Sequence, residues 1–479
     1  MYLNITGILI KRSAKMRRLV FLILFLFFLF GNIYSQEVLS VDDCISIALK
    51  RNAQLNNARY NLGISRANKL GSLSSILPRF SVSFSSRQNK VSTSTYLRDT
   101  PVIDTETKKV IGYKQEEVTT RGYDRNFHYA NFNWNQTIYD GGAWWNRIKK
   151  GNTDLDAAKF NLESAIISTI TLVQQRYLEL LKEIKQLEVY EKSVKSAEEQ
   201  LHRTESMYKI GSVAQADVFR ARVNLGNEKI NYLKQKNIIE AAKANLNIAM
   251  GKNPNEEINI DVNAFENVKV QEINISLEEA IQKALDSNPE LKSLSKNMES
   301  SELAVKIAKS NRIPTIGAQI GYSRSNSLFK RVYADFDKNY SWNFSGQISF
   351  NIFDGFQTKS SIRREQESAL IAKENYESRK RTLANEVKQA YNNYMAYKEI
   401  MKLNEENVKS AEEDLRLAQE RYRVGAGTLL ETIDAQVNLT KARTMYVRTK
   451  YDLLIYLSQL KNLIGMVDEK YYDMAEFKR

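Results

Sequence analysis

Two halves of this chain repeat one another. Ser40-Val-Asp-Asp-Cys-Ile and Ser276-Leu-Glu-Glu-Ala-Ile stand 236 positions apart, and the match holds through Ala48/Ala284, Leu49/Leu285, Asn52/Asn288, Leu55/Leu291 and Pro78/Pro314. Beyond the proline the offset is 214. It runs from Ile138-Tyr-Asp-Gly and Ile352-Phe-Asp-Gly, through Val194-Lys-Ser-Ala-Glu-Glu and Val408-Lys-Ser-Ala-Glu-Glu, to Tyr208/Tyr422, Gly211/Gly425, Asn224/Asn438 and Gly251/Gly465. Self-similarity on this scale means that one structural unit is built twice, here as residues 36–265 and 266–479. The fall in offset from 236 to 214 gives the first copy 22 extra residues between Pro78 and Ile138. They fall in the polar stretch from about Arg87 to Arg125, which reads as a longer loop. Each copy has the order short helix, helix ending before proline, strand, loop, strand, two very long helices.

The N-terminus sets the compartment. Lys11, Arg12, Lys15, Arg17 and Arg18 precede an unbroken apolar run from Leu19 to Phe30, followed by small and polar residues at Gly31 to Ser35. That order reads as a signal peptide over residues 1–35, with Met16 as an alternative start to Met1. The run is too short for a membrane-crossing helix, which needs roughly 20 apolar residues; a retained N-terminal anchor is the competing reading. The one cysteine, Cys44, excludes an intramolecular disulfide. His128 and His202 lie far apart without a ligand cluster, so no metal and no cofactor is expected. No phosphate loop, dinucleotide fingerprint or nucleophile elbow is present, and the chain is expected not to be an enzyme. The formal charge of +14 drops to about +9 without the five basic residues before Leu19. Acidic and basic residues interleave along the helices as on solvated faces, and no nucleic-acid partner is expected of a secreted chain.

The strands carry a second pattern. Trp342, Phe344, Gly346, Ile348, Phe350 and Ile352 alternate with Ser341, Asn343, Ser345, Gln347, Ser349 and Asn351. The same period of two places Ala130, Phe132, Trp134 and Ile138 against Asn131, Asn133, Asn135 and Thr137, and Phe80, Val82 and Phe84 against Ser81, Ser83 and Ser85; Ile316, Ala318, Ile320 and Tyr322 complete the set. Strands are read at about 79–88, 127–139, 315–325 and 340–353. A half-buried soluble sheet has this alternation too. Runs of about ten residues with aromatics on one face and Asn, Ser and Gln on the other suit a barrel with lipid outside and water inside. Four strands cannot close a barrel, and an open edge in lipid leaves backbone groups unpaired, so several chains must share one barrel.

The helices set the length scale. From about Trp144 to Lys209 there is no proline and one glycine, Gly151, while Ile166, Ile170, Val173, Tyr177, Leu180, Ile184, Leu187, Val194 and Leu201 follow heptad spacing. A helix of this length extends about 100 Å. The pattern resumes after Gly211 with Val218, Ala221, Leu225, Tyr232, Ile239 and Leu246, which predicts an antiparallel hairpin over about 144–250. The second copy predicts another over about 356–464, bent at Val424-Gly-Ala-Gly and followed by a C-terminal tail. Such stripes are ordinary coiled-coil core. A hairpin joined at one end to membrane strands also sets its bend about 100 Å away, far enough to cross a periplasm and serve as a docking tip.

These residues together resemble the TolC family of outer-membrane efflux proteins. The resemblance covers about Val38 to Gly465 and is carried by the duplicated proline before a strand, by Ile138-Tyr-Asp-Gly and Ile352-Phe-Asp-Gly, and by the turns Tyr208-Lys-Ile-Gly-Ser-Val-Ala-Gln-Ala-Asp217 and Tyr422-Arg-Val-Gly-Ala-Gly-Thr-Leu-Leu-Glu431. The second copy has Ile313 rather than leucine before its proline. The resemblance implies a mainly α fold with a small β part, assembled as a homotrimer with a 12-stranded transmembrane β-barrel continued by a periplasmic α-helical barrel. It implies a passive channel-tunnel of a tripartite efflux pump or type I secretion system, in the bacterial outer membrane and in contact with its lipid. The implied partners are a periplasmic adaptor (membrane fusion) protein and an inner-membrane transporter of RND, ABC or MFS type. Gly211 and Gly425 then mark the adaptor-contact turns. Glu431 and Asp434 match family positions that narrow the periplasmic entrance. Their i,i+3 spacing puts both on one helix face, and three copies would make acidic rings that favour cations. Asp217 and Tyr422 look similar to residues that hold the closed state by hydrogen bonds between helices. The family often has an arginine where this chain has Gly427, so a different closing network is implied.

Two other classes compete with the duct. A secreted or periplasmic coiled-coil structural protein explains the heptads but not four amphipathic strands at equivalent places in both copies. An enzyme lacks a convergent catalytic set.

Overall fold

A computed structural model describes residues 38–263, 265, 273–334 and 337–475. The signal peptide, the choice between Met1 and Met16, and the junction of the copies at residue 266 lie outside the described residues. In chain order the elements are β1 (Val38–Leu39), α1 (Val41–Arg51), α2 (Ala53–Ser72), β2 (Arg79–Val91), β3 (Ser94–Ile103), β4 (Val110–Thr120), β5 (Tyr123–Tyr139), α3 (Ala143–Lys209), α4 (Gln215–Met250) and β6 (Asn259–Ile260). The second copy supplies α5 (Leu277–Ser287), α6 (Pro289–Ser310), β7 (Thr315–Asn326), α7 (Phe329–Tyr333), β8 (Tyr340–Ser349), α8 (Gln357–Arg423), α9 (Leu429–Leu463) and α10 (Lys470–Met474). The described chain is mainly helical with a small β part. It divides into two compact units, one with the residues up to Arg59, Leu162–Asn288 and those from Arg381, the other with Tyr60–Asn161 and Pro289–Lys380. Each unit draws on both copies, so the repeat is not the unit of compactness.

The second unit is built on an antiparallel sheet in the order β2-β5-β7-β8. Its central pair, β5 with β7, joins the two copies. Register turns the alternation of each strand into rows across the sheet. Phe80, Trp134, Ile320 and Phe344 make one apolar row, and Val82, Phe132, Tyr322 and Trp342 the next. Between them on the other face run Ser81, Asn133, Gly321 and Asn343, and beyond these Arg79, Asn135, Gln319 and Ser345. The apolar rows are exposed on the outer strands, with Phe344 at 73% and Phe80 at 63%, and half-buried on β5 and β7. No helix among the described residues is long and apolar enough to cross a membrane.

The stretch expected as a long loop in the first copy is a strand extension and a hairpin. β2 runs on to Val91, β5 starts at Tyr123, and β3 pairs with β4 between them. Most residues of this hairpin are exposed on both faces, so no burial-driven alternation marks it, and Pro101 sits within β3. The equivalent connection in the second copy is the short helix α7. It rests on the apolar side of the sheet, with Tyr333 packed on Phe84 and Phe329 edge-on to His128 at ring distances of 5.9 and 5.4 Å. Arg324, the residue that follows Tyr322 in the apolar column, is buried beneath this connection and donates to the Ala334 carbonyl at 2.7 Å. β8 ends at Ser349, although the alternation continues to Ile352.

The helical unit repeats its details as well as its sequence. Ser40 caps α1 in a reciprocal box with Asp43, and Ser276 caps α5 with Glu279. Tyr177 on α3 donates to the Leu39 carbonyl at 3.2 Å, and Tyr391 on α8 donates to the Ile275 carbonyl at 3.2 Å, so donor and acceptor recur at the two sequence offsets. β1 and β6 form a two-residue parallel pair that Tyr177 also reaches through Asp261. The heptad residues Ile166, Ile170, Val173, Tyr177 and Leu180 are fully buried, and Leu246 and Met250 of α4 are equally so. Farther along, hydroxyl and amide contacts join the copies: Ser193 to Thr440 at 2.9 Å and Ser196 to Gln436 at 2.8 Å link α3 to α9.

Candidate functional site at the helical turns

Both long hairpins reverse by the same backbone device. At the end of α3 the Gly211 amide bonds to the Tyr208 carbonyl and the Ser212 amide to the Met207 carbonyl, each at 2.9 Å. At the end of α8, Gly425 bonds to Tyr422 at 3.1 Å and Ala426 to Arg421 at 2.8 Å. This 5→2, 6→1 pair is a Schellman closure and requires a left-handed residue, which glycine adopts without steric cost. Gly211 has φ of +77° and Gly425 of +76°. A Cβ built on either meets nothing within 4 Å, so both turns face open space.

Beneath the turns lies a small core of Ala221, Tyr422 and Leu429, with Leu201, Met207, Val213 and Ile433 packed around it. Tyr422 is only 5% exposed, and its hydroxyl finds no hydrogen-bond partner among the described residues. Asp217 lies in the first turn of α4, its carboxylate 3.8 Å from Arg220. The chain does not join Asp217 to Tyr422. A buried hydroxyl without a partner is costly, by about 1–3 kcal/mol, unless something further supplies one.

Glu431 and Asp434 are both exposed on the first turns of α9, but their surroundings differ. Thr428 caps the helix by accepting from the Glu431 amide at 3.2 Å, and its hydroxyl donates to the Glu431 carboxylate at 3.3 Å. The Arg421 guanidinium stands 3.6 Å from the same carboxylate. Gly427 makes room for this, since a Cβ there would come within 3.1 Å of Arg421 Cβ and 3.3 Å of Glu431 Oε2. Asp434 has no ion-pair partner among the described residues. The acidic pair is therefore unequal, one carboxylate facing a cation and the other bare. Sequence reading missed Arg421, whose link to Glu431 crosses the turn, though Thr428-x-x-Glu431 carries a visible capping signature. Beside the turn a groove of about 420 Å³ between α4 and α9 is lined by Phe219, Val223, Leu430 and Ile433. No group of three or more metal-binding side chains occurs among the described residues.

Comparison with known proteins agrees with this architecture. The family model described as outer membrane efflux protein matches the chain twice, over residues 44–252 and 280–466. Outer membrane protein TolC of Escherichia coli (strain K12) is 24% identical over 364 residues, covering 73% of this chain and 71% of TolC. Among solved structures, the Campylobacter jejuni CmeC outer membrane channel superposes with a TM-score of 0.73 at 17% identity, covering 91% of this chain and 89% of CmeC. CusC superposes with a TM-score of 0.76 at 17% identity, covering 89% of this chain and 92% of CusC. With two matched copies spanning most of its length, the chain belongs to the outer membrane efflux protein family.

Proposed function

We propose that this chain is one subunit of a homotrimeric, passive channel-tunnel that carries solute from a periplasmic adaptor and an inner-membrane transporter of RND, ABC or MFS type to the outside. The observation that carries this reading is the sheet: two unpaired edges, β2 and β8, an apolar face that α7 covers only near one end, and a polar opposite face. In lipid such a sheet has to be closed by further strands. Three chains give 12 strands, with the apolar rows toward the membrane and the Ser and Asn rows toward water. Exposed Phe219, Val223, Ile230 and Leu233 on α4 form an apolar stripe for a neighbouring subunit's helix. In this reading 36–265 and 266–479 are the structural repeats of a wall that continues into the periplasm, Gly211 and Gly425 mark adaptor-contact turns, and the Tyr422 hydroxyl takes its missing gate partner, Asp217 or another, across subunits.

Glu431 and Asp434 form the acidic constriction, with Asp434 dominant because Arg421 offsets Glu431. The test is planar-bilayer recording in a salt gradient. Glu431→Ala with Asp434→Ala reduces cation preference, and Asp434→Ala alone accounts for most of the change. An unaltered reversal potential overturns the filter assignment. Extraction by salt without detergent, and no conductance, overturns the duct.

A further inference from the structure

The polar face of the sheet carries charge of one sign only. Following the register outward, its residues are Arg79, Ser81, Ser83, Ser85, Arg87 and Asn89 on β2, then, on β5, Asn135, Asn133 and Asn131 followed by Tyr129, Phe127, Arg125 and Tyr123, so that aromatic rings surround the outer arginines. On β7 they are Thr315, Gln319 and Ser323, and on β8 Ser341, Asn343, Ser345 and Gln347. Three arginines share this face with no Asp or Glu. Asp124, in the opposite column, is bonded to Gln88 at 2.8 Å. None of the three arginines has an ion-pair partner among the described residues; Arg125 lies 5.4 Å over the Tyr123 ring.

Their positions form two levels. Arg79 opens β2 opposite Asn135 and lines a polar recess of about 560 Å³ with Gln319, Ser345, Gln347 and the Asp140–Arg147 ion pair. Arg87 is opposite Phe127 and Arg125 is opposite Asn89, so these two are diagonal neighbours near the other end. Eight residues of strand separate the levels by about 27 Å.

We propose that the barrel section is an anion-favouring sleeve, with Arg79 as its inner ring and Arg87 with Arg125 as its outer ring, so that the duct takes anionic solutes, carboxylates and phosphates, in preference to cations along this stretch. The inference rests on the trimeric duct proposed above and concerns its selectivity. Twelve strands about 4.8 Å apart and tilted about 40° place the wall about 12 Å from the axis. Arginine side chains reach inward from that wall, which brings their charge within one Debye length of the axis, about 10 Å at 0.1 M salt. The uncharged Ser and Asn rows between the rings offer nothing to neutralise it. The sign is opposite to that of Glu431 and Asp434, which gives the duct a cation-favouring inner end and an anion-favouring outer section.

Block by inositol hexakisphosphate, added from the barrel side of single channels in planar bilayers, tests this. The unaltered protein is expected to be blocked, with at least tenfold weaker block in the triple variant Arg79→Gln, Arg87→Gln, Arg125→Gln, and recovery in the corresponding triple lysine variant. The reversal potential of the glutamine variant shifts toward cations. Heat-modifiable migration in gels confirms that each variant is assembled. Equal block in the glutamine variant, or no block of the unaltered channel, overturns the sleeve while leaving the duct intact. Absence of any conductance from the unaltered protein removes the duct and the sleeve with it.

Discussion

At the scale of single residues, glycine and cysteine give separable expectations. Gly425 and Gly251 are both left-handed closures, with φ of +76° and +72°. The space around them is different. A Cβ on Gly251 would sit 2.7 Å from the Arg51 carbonyl oxygen, whereas one on Gly425 meets nothing. Gly425→Ala therefore costs only the left-handed strain, about 1–2 kcal/mol, and Gly251→Ala costs more because backbone must also move. Thermal unfolding followed by far-UV circular dichroism should rank them in that order. Cys44 is fully buried on α1, and burial, reinforced by the neighbouring Asp43 charge, pushes its thiol up to about 12. The folded thiol stays protonated at neutral pH while the unfolded one ionises near its ordinary value. Folding thus loses stability as pH rises above about 9 toward 12, not below it. A maleimide probe should label Cys44 only after denaturation; rapid labelling of the native protein would contradict its placement.

At the scale of elements, the repeated caps are the cleanest target. Ser276→Ala removes the acceptor for the Glu279 amide, 3.2 Å away, and should lower stability by about 1 kcal/mol in chemical unfolding. The matching Ser40→Ala should do the same through Asp43. Elements with one apolar and one polar side were legible in the sequence, because each side takes its own residue type: the long helices through the buried Ile166, Ile170 and Val173, and the sheet strands through the half-buried Phe132 and Trp134. The β3–β4 hairpin was not, since Tyr96, Leu97, Ile111 and Tyr113 are exposed on both of its sides. Nor was α7, five residues fixed by Arg324 and two aromatic contacts rather than by its own pattern. At the turns, family resemblance singled out Glu431 and Asp434 and spacing put them on one helix face, but Arg421, which stands 3.6 Å from Glu431, lies on the other side of the reversal and carried no such signal.

At the scale of the whole molecule, the duplication explains why one chain supplies four strands. Each copy contributes a strand pair, and β5 with β7 stitches the pairs into one sheet. On the trimer proposed above, the subunit contact is head to tail, β8 of one chain beside β2 of the next, a contact that ends only by closing on itself. Cross-linking of cysteines introduced one at each outer edge, at Ser83 and Ser345, should give a covalent ladder that stops at three chains. Longer ladders would contradict ring closure, and an absence of intersubunit product would contradict the edge pairing.

The two bare edges also set the order of events in biogenesis. A lone subunit offers thirteen residues of backbone on β2 and ten on β8 to any extended peptide it meets. On the proposed trimer, until the ring closes these unpaired amides and carbonyls are as ready to recruit a stray strand as a sister subunit. Maturation of such a ring would then be a race between closure and misjoining, and it would favour keeping the edges covered until enough chains are together.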